Sequence, residues 1–353
     1  LQRHFGLECG PVVSSRSFWH IHMLLSVSSL GAVYHLSTCP VFPGQLCGRG
    51  VTGNITYIRD GSIRVIDVDD GKIGKDEVVV ENAPDACTLN WSHDGRRLAY
   101  AEMEGDWVDG YRIMIFNVDT SAAELIYRTG TPVSDPNVVY DAYWSAADDF
   151  LYVVRGAGSA ASVCTYRVNP DGSDMRFICG GMLLAVDPRT GNMLVQHHWY
   201  YDYPESGSYE AVCLHSPDGE ILRNFGKRAG RGDDEAPFVP VAFSPNGEMV
   251  IGVKPSGDWV LLGRDFQLIR EIDLSDFGLV CWEGESFYIA GWTADSDYLI
   301  LMRSKTCGEG VDTHSSYFYS LRTSFSDKAV KMCDGISDFS WWSPGAPACL
   351  GIP

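Results

Sequence analysis

One phrase occurs six times in the chain and constrains the fold more than any other feature. It consists of a large apolar residue, a small polar residue, a turn rich in Asp, Asn or Gly, and an apolar strand, as in residues 91–98 (WSHDGRRL) and 243–250 (FSPNGEMV). The apolar anchors stand at positions 91, 144, 186, 243, 292 and 342, so the spacings are 53, 42, 57, 49 and 50 residues. A period near fifty with four short strands per unit is typical of a β-propeller.

The two ends of the chain are complementary parts of one repeat. Residues 54–68 form a predicted hairpin around the turn Asp60-Gly61, and a third strand follows at 77–80, all before the first complete repeat. The last anchor, Trp342, is preceded by a strand and followed by almost nothing. We therefore predict an all-β fold, a six-bladed β-propeller of four-stranded blades. In it the N-terminal strands complete the blade of the C-terminal anchor strand, which closes the ring.

Residues 1–50 lie outside the repeat. The apolar stretch 18–34, preceded by Arg3 and Arg16, resembles an export signal, and residues 36–39 (LSTC) weakly resemble a lipoprotein cleavage box. Three histidines in and near this stretch argue against a transmembrane helix. We expect an N-terminal extension over 1–50, with a Gly- and Pro-rich linker at its end, and one propeller domain over 51–353. The alternative to a targeting signal is a disordered or loosely packed extension.

Charge excludes two classes of partner. The chain carries 27 basic and 46 acidic residues, a formal net charge of −19, and no run of Lys or Arg. Binding to nucleic acid or to an anionic membrane surface needs a basic footprint, so neither partner is expected. We expect a monomer.

The eleven cysteines do not form a recognisable metal motif. No C-x-x-C pair occurs, so the sequence predicts neither a structural zinc site nor any other metal or cofactor. One pair is suggested by hairpin register: if Val168 faces Met175, then Cys164 faces Cys179, and the two could form a disulfide in an oxidising compartment. The alternative is that both are small buried hydrophobic side chains.

The repeated phrase resembles the W-S-P-D-G-K-x-[LI] core of the TolB-like, or WD-like, propeller repeats. The resemblance covers residues 54–345, although the third anchor, Val186, is not aromatic and the sixth copy ends early. It implies a ring of blades that binds a protein or another ligand in the bacterial envelope, or one attached to a catalytic partner. A periplasmic, secreted or lipid-anchored location follows from this resemblance, with a cytoplasmic location as the alternative.

Candidate binding residues lie in the loops between the second and third strands of the blades. These loops, with those that enter each new blade, share one face of the ring, here called the top face, and they are longer and chemically more mixed than the turns of the opposite, bottom face. Aromatic side chains there could stack on a sugar or a peptide. The alternative is that these side chains pack on neighbouring blades or are merely solvated. The candidates are His197, His198, Trp199, Tyr200, Tyr201, Asp202, Asp312, His314 and Trp107.

These loops predict a non-catalytic scaffold that recognises a protein or a carbohydrate. The alternative is a carbohydrate-active lyase or hydrolase resembling the oligogalacturonate lyases, propellers that use clustered histidines and a metal. Two observations weigh against this enzyme: His215 is assigned to a bottom turn, and His197 and His198 are adjacent, so their side chains point to opposite faces of an extended segment. The sequence also has no G-x-S-x-G elbow, P-loop or H-E-x-x-H motif.

Overall fold

A computed structural model describes most of the chain between residues 51 and 342. The described ranges are 51–70, 72–104, 110–129, 138–156, 163–201, 207–225, 238–254, 258–280, 285–293, 295–305, 315–325, 328–334 and 339–342. Within them, the secondary structure is a series of short strands and one 3-10 helix, Leu274–Phe277. No helix in these ranges has the length and apolar character needed to cross a bilayer.

The strands form antiparallel sheets of four, each of them one blade. The first three strands share a sheet with the last, in the order β24-β1-β2-β3, and this sheet is blade 6. Each of the other blades takes four consecutive strands. The strands of blade 6 are β1 (Gly53–Arg59), β2 (Ser62–Asp69), β3 (Lys72–Val80) and β24 (Phe339–Trp342). Those of blade 1 are β4 (Ala86–Trp91), β5 (Arg97–Met103), β6 (Tyr111–Asn117) and β7 (Ala122–Arg128). Blade 2 has β8 (Val138–Trp144), β9 (Leu151–Gly156), β10 (Cys164–Val168) and β11 (Arg176–Gly180).

Blades 3 to 5 follow the same order. Blade 3 has β12 (Met182–Val186), β13 (Met193–Tyr201), β14 (Gly207–His215) and β15 (Ile221–Asn224). Blade 4 has β16 (Val239–Phe243), β17 (Met249–Val253), β18 (Trp259–Gly263) and β19 (Leu268–Ile272). Blade 5 has β20 (Glu285–Trp292), β21 (Tyr298–Lys305), β22 (Ser315–Arg322) and β23 (Val330–Asp334).

The predicted closure of the ring is confirmed. Strand β24 pairs antiparallel with β1, with Thr56 opposite Ser340 and Tyr57 opposite Phe339. The C-terminal strand is therefore the inner strand of a blade whose other three strands come from the N-terminal part of the propeller. The fold is a six-bladed β-propeller.

The small polar residue of the repeated phrase closes the bottom turns of blades 1, 4 and 5. The Ser92 hydroxyl accepts a hydrogen bond from the Arg97 amide at 2.9 Å and donates one to Asp94 at 2.6 Å. Ser244 and Thr293 hold the fourth and fifth turns in the same way. These bonds satisfy backbone groups that a tight turn would otherwise leave unpaired. This explains why one short phrase recurs wherever a first strand turns into a second.

The aromatic anchors lie between blades. The indole of Trp91 donates to the Thr56 hydroxyl of blade 6 at 2.6 Å, and the indole of Trp144 donates to the Asn90 carbonyl of blade 1 at 3.1 Å. Both Trp side chains are buried, and each belongs to an apolar cluster. These two anchors thus each combine apolar burial with one polar contact to the preceding blade.

The predicted pairing of Cys164 with Cys179 is wrong. Tyr166 does face Phe177, as expected, but a bulge follows, so that Thr165 faces Cys179 and Cys164 faces Gly180. One extra residue in a strand displaces every later partner by one position. Both cysteines are free thiols.

Candidate functional site

The hairpin of blade 3 is longer than the sequence predicts. The predicted top loop begins at His197, but strand β13 continues through Tyr201 and β14 begins at Gly207. Pairing is continuous from Met193 opposite His215 to Tyr201 opposite Gly207. The first five residues of the predicted loop are therefore strand residues.

The candidate residues from the sequence fall into three groups. His197 is fully described and is buried, with 7% of its surface exposed. His198, Trp199, Tyr200 and Tyr201 have a defined backbone position in β13. The remaining candidates, Trp107, Asp202, Asp312 and His314, lie outside the described residues.

Blades 3 and 5 extend further toward the top face than the blade between them. Strands β13 and β14 have 9 residues each, and β21 and β22 have 8 each, whereas β17 and β18 of blade 4 have 5 each. All three hairpins start from equivalent bottom turns, so the two taller ones continue about 13 Å and 10 Å further, at about 3.3 Å per residue. We call this step in strand length, above blade 4 and between the hairpins of blades 3 and 5, the blade 4 notch.

Beneath the tall hairpin of blade 3, two histidines and a cysteine are buried together. The Nε2 atoms of His197 and His215 are 2.7 Å apart, and Cys213 lies on the same strand as His215, two residues away. The ligand atoms of the three side chains all lie within 4.8 Å of one another. Cys213 and His215 are each only 1% exposed. We call these three residues the His-Cys cluster.

Hairpin register explains why these three side chains meet. Val195 pairs with Cys213, and Met193 pairs with His215. Since side chains alternate between the faces of a strand, positions 193, 195 and 197 share a face with 215, 213 and 211. The cluster therefore occupies one face of blade 3. That face lies toward blade 2, because Cys213 interacts electrostatically with Cys179 of strand β11 and, after burial, adds to the raised pKa of that thiol.

A backbone carbonyl fixes the tautomer of His215. Its Nδ1 is 2.8 Å from the carbonyl oxygen of Gly219, and a carbonyl can only accept, so Nδ1 carries the proton. In the neutral ring the Nε2 atom then has a free lone pair, and it accepts the bond that His197 Nε2 donates. Gly219 has φ of 92°, and a Cβ there would lie 2.3 Å from the Ile178 carbonyl oxygen. Only glycine fits this turn.

Burial dominates the electrostatics of the cluster. It lowers the pKa of His197 to about 4, with a smaller contribution from the neighbouring His215. It lowers the pKa of His215 too, although the bond to Gly219 acts in the opposite direction. Burial raises the pKa of the Cys213 thiol to about 11. At neutral pH the cluster thus consists of two neutral imidazoles and one protonated thiol.

The sequence interpretation missed this cluster because it assigned His197 to the top face and His215 to the bottom face. The structure brings the two rings into contact, so this separation is wrong. The available signal was the length of the hairpin, because neither Met193 to Tyr201 nor Tyr209 to His215 contains a Gly or Pro that would end a strand. A register extended over nine pairs would have placed Cys213 and His215 on the same face as His197.

A second perturbed group lies in β8, the inner strand of blade 2. One carboxyl oxygen of Asp141 accepts from the Ala142 amide at 2.8 Å, and the other accepts from the Tyr143 hydroxyl at 2.6 Å. Desolvation nevertheless raises the pKa of Asp141 to about 7, because it outweighs both hydrogen bonds. Asp141 was absent from the sequence-based candidates.

Comparison with known proteins shows that this chain resembles solved structures in its fold. No family model matches the chain, and no curated protein matches it. Among solved structures, a putative TolB from Agrobacterium tumefaciens superposes with a TM-score of 0.52 at 10% identity, over 85% of this chain and 100% of the other. The chain has the fold of a TolB-like propeller.

Two enzymes superpose less well. The periplasmic gluconolactonase of Pseudomonas aeruginosa has a TM-score of 0.44 at 12% identity, over 83% of this chain and 99% of the other. The dipeptidyl peptidase 4 of Porphyromonas gingivalis has a TM-score of 0.41 at 10% identity, and the match covers 84% of this chain but 46% of the peptidase. Neither similarity carries an argument about activity.

Proposed function

We propose that this protein is a non-catalytic binding scaffold of the bacterial envelope, and that it recognises a protein or carbohydrate ligand at the blade 4 notch. The single observation that carries the proposal is the step in strand length, because tall hairpins on both sides of a short one leave a concave surface between them. The taller hairpin carries the aromatic run from Trp199 to Tyr201.

The base of the notch is held by a charged pair and a buried aromatic residue, so the contacts to a ligand are expected from the tall hairpin beside it. Lys254 forms an ion pair with Glu271 at 2.5 Å, and only 25% of its side chain is exposed. Trp259, the first residue of β18, is buried beside it in the sheet and is 8% exposed. The residue types of the run from Trp199 to Tyr201 suit a sugar, whose faces are apolar and whose edges donate and accept hydrogen bonds. They also suit a peptide.

The bottom face offers less to a ligand. Its turns are short, and their polar groups are largely used internally, as in the bonds of Ser92 to Arg97 and Asp94. Across the first two blades the turns also bind one another, since Asp148 accepts from the amides of His93 and Asp94. Groups already paired within the ring gain little from a new partner.

The test is a binding screen with two variants and one control. Purified full chain is titrated calorimetrically with neutral and uronic oligosaccharides and with a peptide library. We expect at least one class to bind, and Trp199→Ala or Tyr201→Ala to weaken that binding by more than tenfold. Phe177→Ala, at a 58% exposed position on the outer strand of blade 2, is the matched control and leaves affinity unchanged.

Two results would contradict the proposal. Affinity that Trp199→Ala and Tyr201→Ala leave unchanged would move the binding surface away from the notch. Turnover of an oligosaccharide, detected as new reducing ends or as an unsaturated sugar product, would favour the carbohydrate-active enzyme over the scaffold.

A further inference from the structure

The geometry points to a metal site in the interface between blades 2 and 3, where His197, His215 and Cys213 bind one d¹⁰ cation, Zn²⁺ or Cu⁺. Two imidazole nitrogens and one thiolate are ligands that both ions accept, and the soft sulfur disfavours Mg²⁺ and Ca²⁺. The site is independent of the binding surface proposed above, because it lies within blade 3 and faces blade 2.

The second shell of His215 is already that of a metal ligand. Metal-bound histidines commonly donate their other ring N–H to a backbone carbonyl or a carboxylate, which fixes the tautomer and the ring plane. Here the Gly219 carbonyl accepts that bond at 2.8 Å. The carbonyl is held in place by a turn that only glycine can form against Ile178. The lone pair on His215 Nε2 consequently points at His197.

The first shell needs a small adjustment. Two nitrogens bound to one Zn²⁺ at about 2.0–2.1 Å in tetrahedral geometry are roughly 3.3 Å apart, and sulfur binds at about 2.3 Å. The Nε2 atoms are now 2.7 Å apart, and the widest separation among the three ligand atoms is within 4.8 Å. The rings must therefore separate by about 0.6 Å while the thiol moves inward, and rotation of side chains accommodates both changes.

The proton balance of binding is simple. The Cys213 thiol loses its proton to solvent as the sulfur–metal bond forms. His197 transfers its Nε2 proton to Nδ1 by exchange with solvent, so that both Nε2 lone pairs face the ion. One proton is released for each ion bound, and no oxidation state changes.

The position of the site within the blade 3 hairpin predicts a structural role for the bound ion. Cys213 and His215 lie in β14 and His197 lies in β13, so one ion joins the two strands below the projecting part of their hairpin. All three side chains are buried, so the ion enters while the blade forms and leaves slowly. The expected consequence is a higher unfolding temperature for the loaded protein.

The experiment measures metal content and binding in the full chain. Protein is refolded under reducing conditions with Zn²⁺, with Cu⁺ or with chelator, desalted, and analysed by mass spectrometry of the metal. We expect close to one equivalent in wild type and in the control Cys87→Ser, and at least tenfold less in Cys213→Ser. Wild type refolded with Co²⁺ is expected to show a thiolate-to-cobalt absorption band that Cys213→Ser lacks.

The remaining outcomes are equally decisive. If Cys213→Ser does not fold, His197→Gln is used in the same comparison, because glutamine keeps a polar side chain in the pocket. The site is ruled out if wild type retains less than a tenth of an equivalent of either ion. It is also ruled out if both cluster variants retain as much metal as Cys87→Ser, since the other cysteines would then be the ligands.

Discussion

Two neighbouring interfaces of the ring are built differently. Between blades 1 and 2, the anchor Trp144 donates to the Asn90 carbonyl, and the Arg97 guanidinium stacks 4.3 Å from the centre of its ring. Between blades 2 and 3, the corresponding anchor is Val186, which has no polar group to donate. On the blade 3 side of that interface lies the His-Cys cluster, whose described hydrogen bonds join residues of blade 3.

A repeat protein can therefore replace the anchor residue of one repeat, here Trp by Val186, without changing its fold. The first interface is stabilised by residues of the repeated phrase, including Asp148, whose carboxylate accepts from the His93 ring at 2.6 Å. The second is packed with apolar side chains beside the two histidines and the cysteine of the His-Cys cluster. Among the described residues, no other group of three potential metal ligands of this kind occurs. A departure from the repeat is thus a useful guide to function, because it marks where the chain was free to adopt other chemistry.

The largest loss of stability is expected from a substitution that disrupts the interface between blades 1 and 2. Trp144→Ala removes an indole that is 2% exposed, together with its hydrogen bond and its contact with Arg97. We expect the free energy of unfolding to fall by about 3–5 kcal/mol. Trp144→Phe keeps most of the ring and should cost about 1–2 kcal/mol. Urea unfolding measures both, and a loss below 1 kcal/mol for the alanine variant would show that the anchor is not a principal contact.

A smaller loss is expected at the second interface. Gly219→Ala places a Cβ 2.3 Å from the Ile178 carbonyl oxygen at a positive φ, so the turn must shift away from blade 2. We expect a loss of about 2–4 kcal/mol. Gly180→Ala is the matched control, since nothing lies within 4 Å of the added Cβ. Equal unfolding midpoints for the two variants would contradict the close contact of the blades.

The smallest change in stability is expected at Asp141, a carboxyl group of blade 2, and it depends on pH. The folded-state pKa of Asp141 is about 7, above the usual value near 4, so between pH 4 and 7 the folded protein holds a proton that the unfolded chain has lost. Its contribution to stability is therefore complete below pH 4 and is lost as pH rises to 7. Relative to Asp141→Asn, wild type should lose about 1–3 kcal/mol across this window. A pH-independent difference in unfolding free energy between the two would contradict the shift.

The architecture could be predicted because its signals are local. The phrase around Ser92 encodes a turn that its own side chains close, and such a turn defines the strands on either side of it. Ring closure followed from counting strands at the two ends, and the pairing of Thr56 with Ser340 confirms it.

The features that were missed depend on contacts between distant residues. The bulge at Thr165 changes the partner of Cys164 from Cys179 to Gly180, and no residue type marks it. The His-Cys cluster depends on where a hairpin ends, and His197 and His215 are 18 residues apart. The desolvation of Asp141 arises from surrounding atoms that no short motif encodes.

Anomalous diffraction at the zinc and copper absorption edges, from crystals of protein refolded with each ion, tests the contrast between the two interfaces most directly. We expect a single strong peak between His197, His215 and Cys213, and no peak beside Trp144. Ordered density for the three side chains with no anomalous peak among them would contradict this expectation. The cluster would then be a hydrogen-bonded histidine pair beside a thiol, with apolar side chains of blades 2 and 3 packed around it.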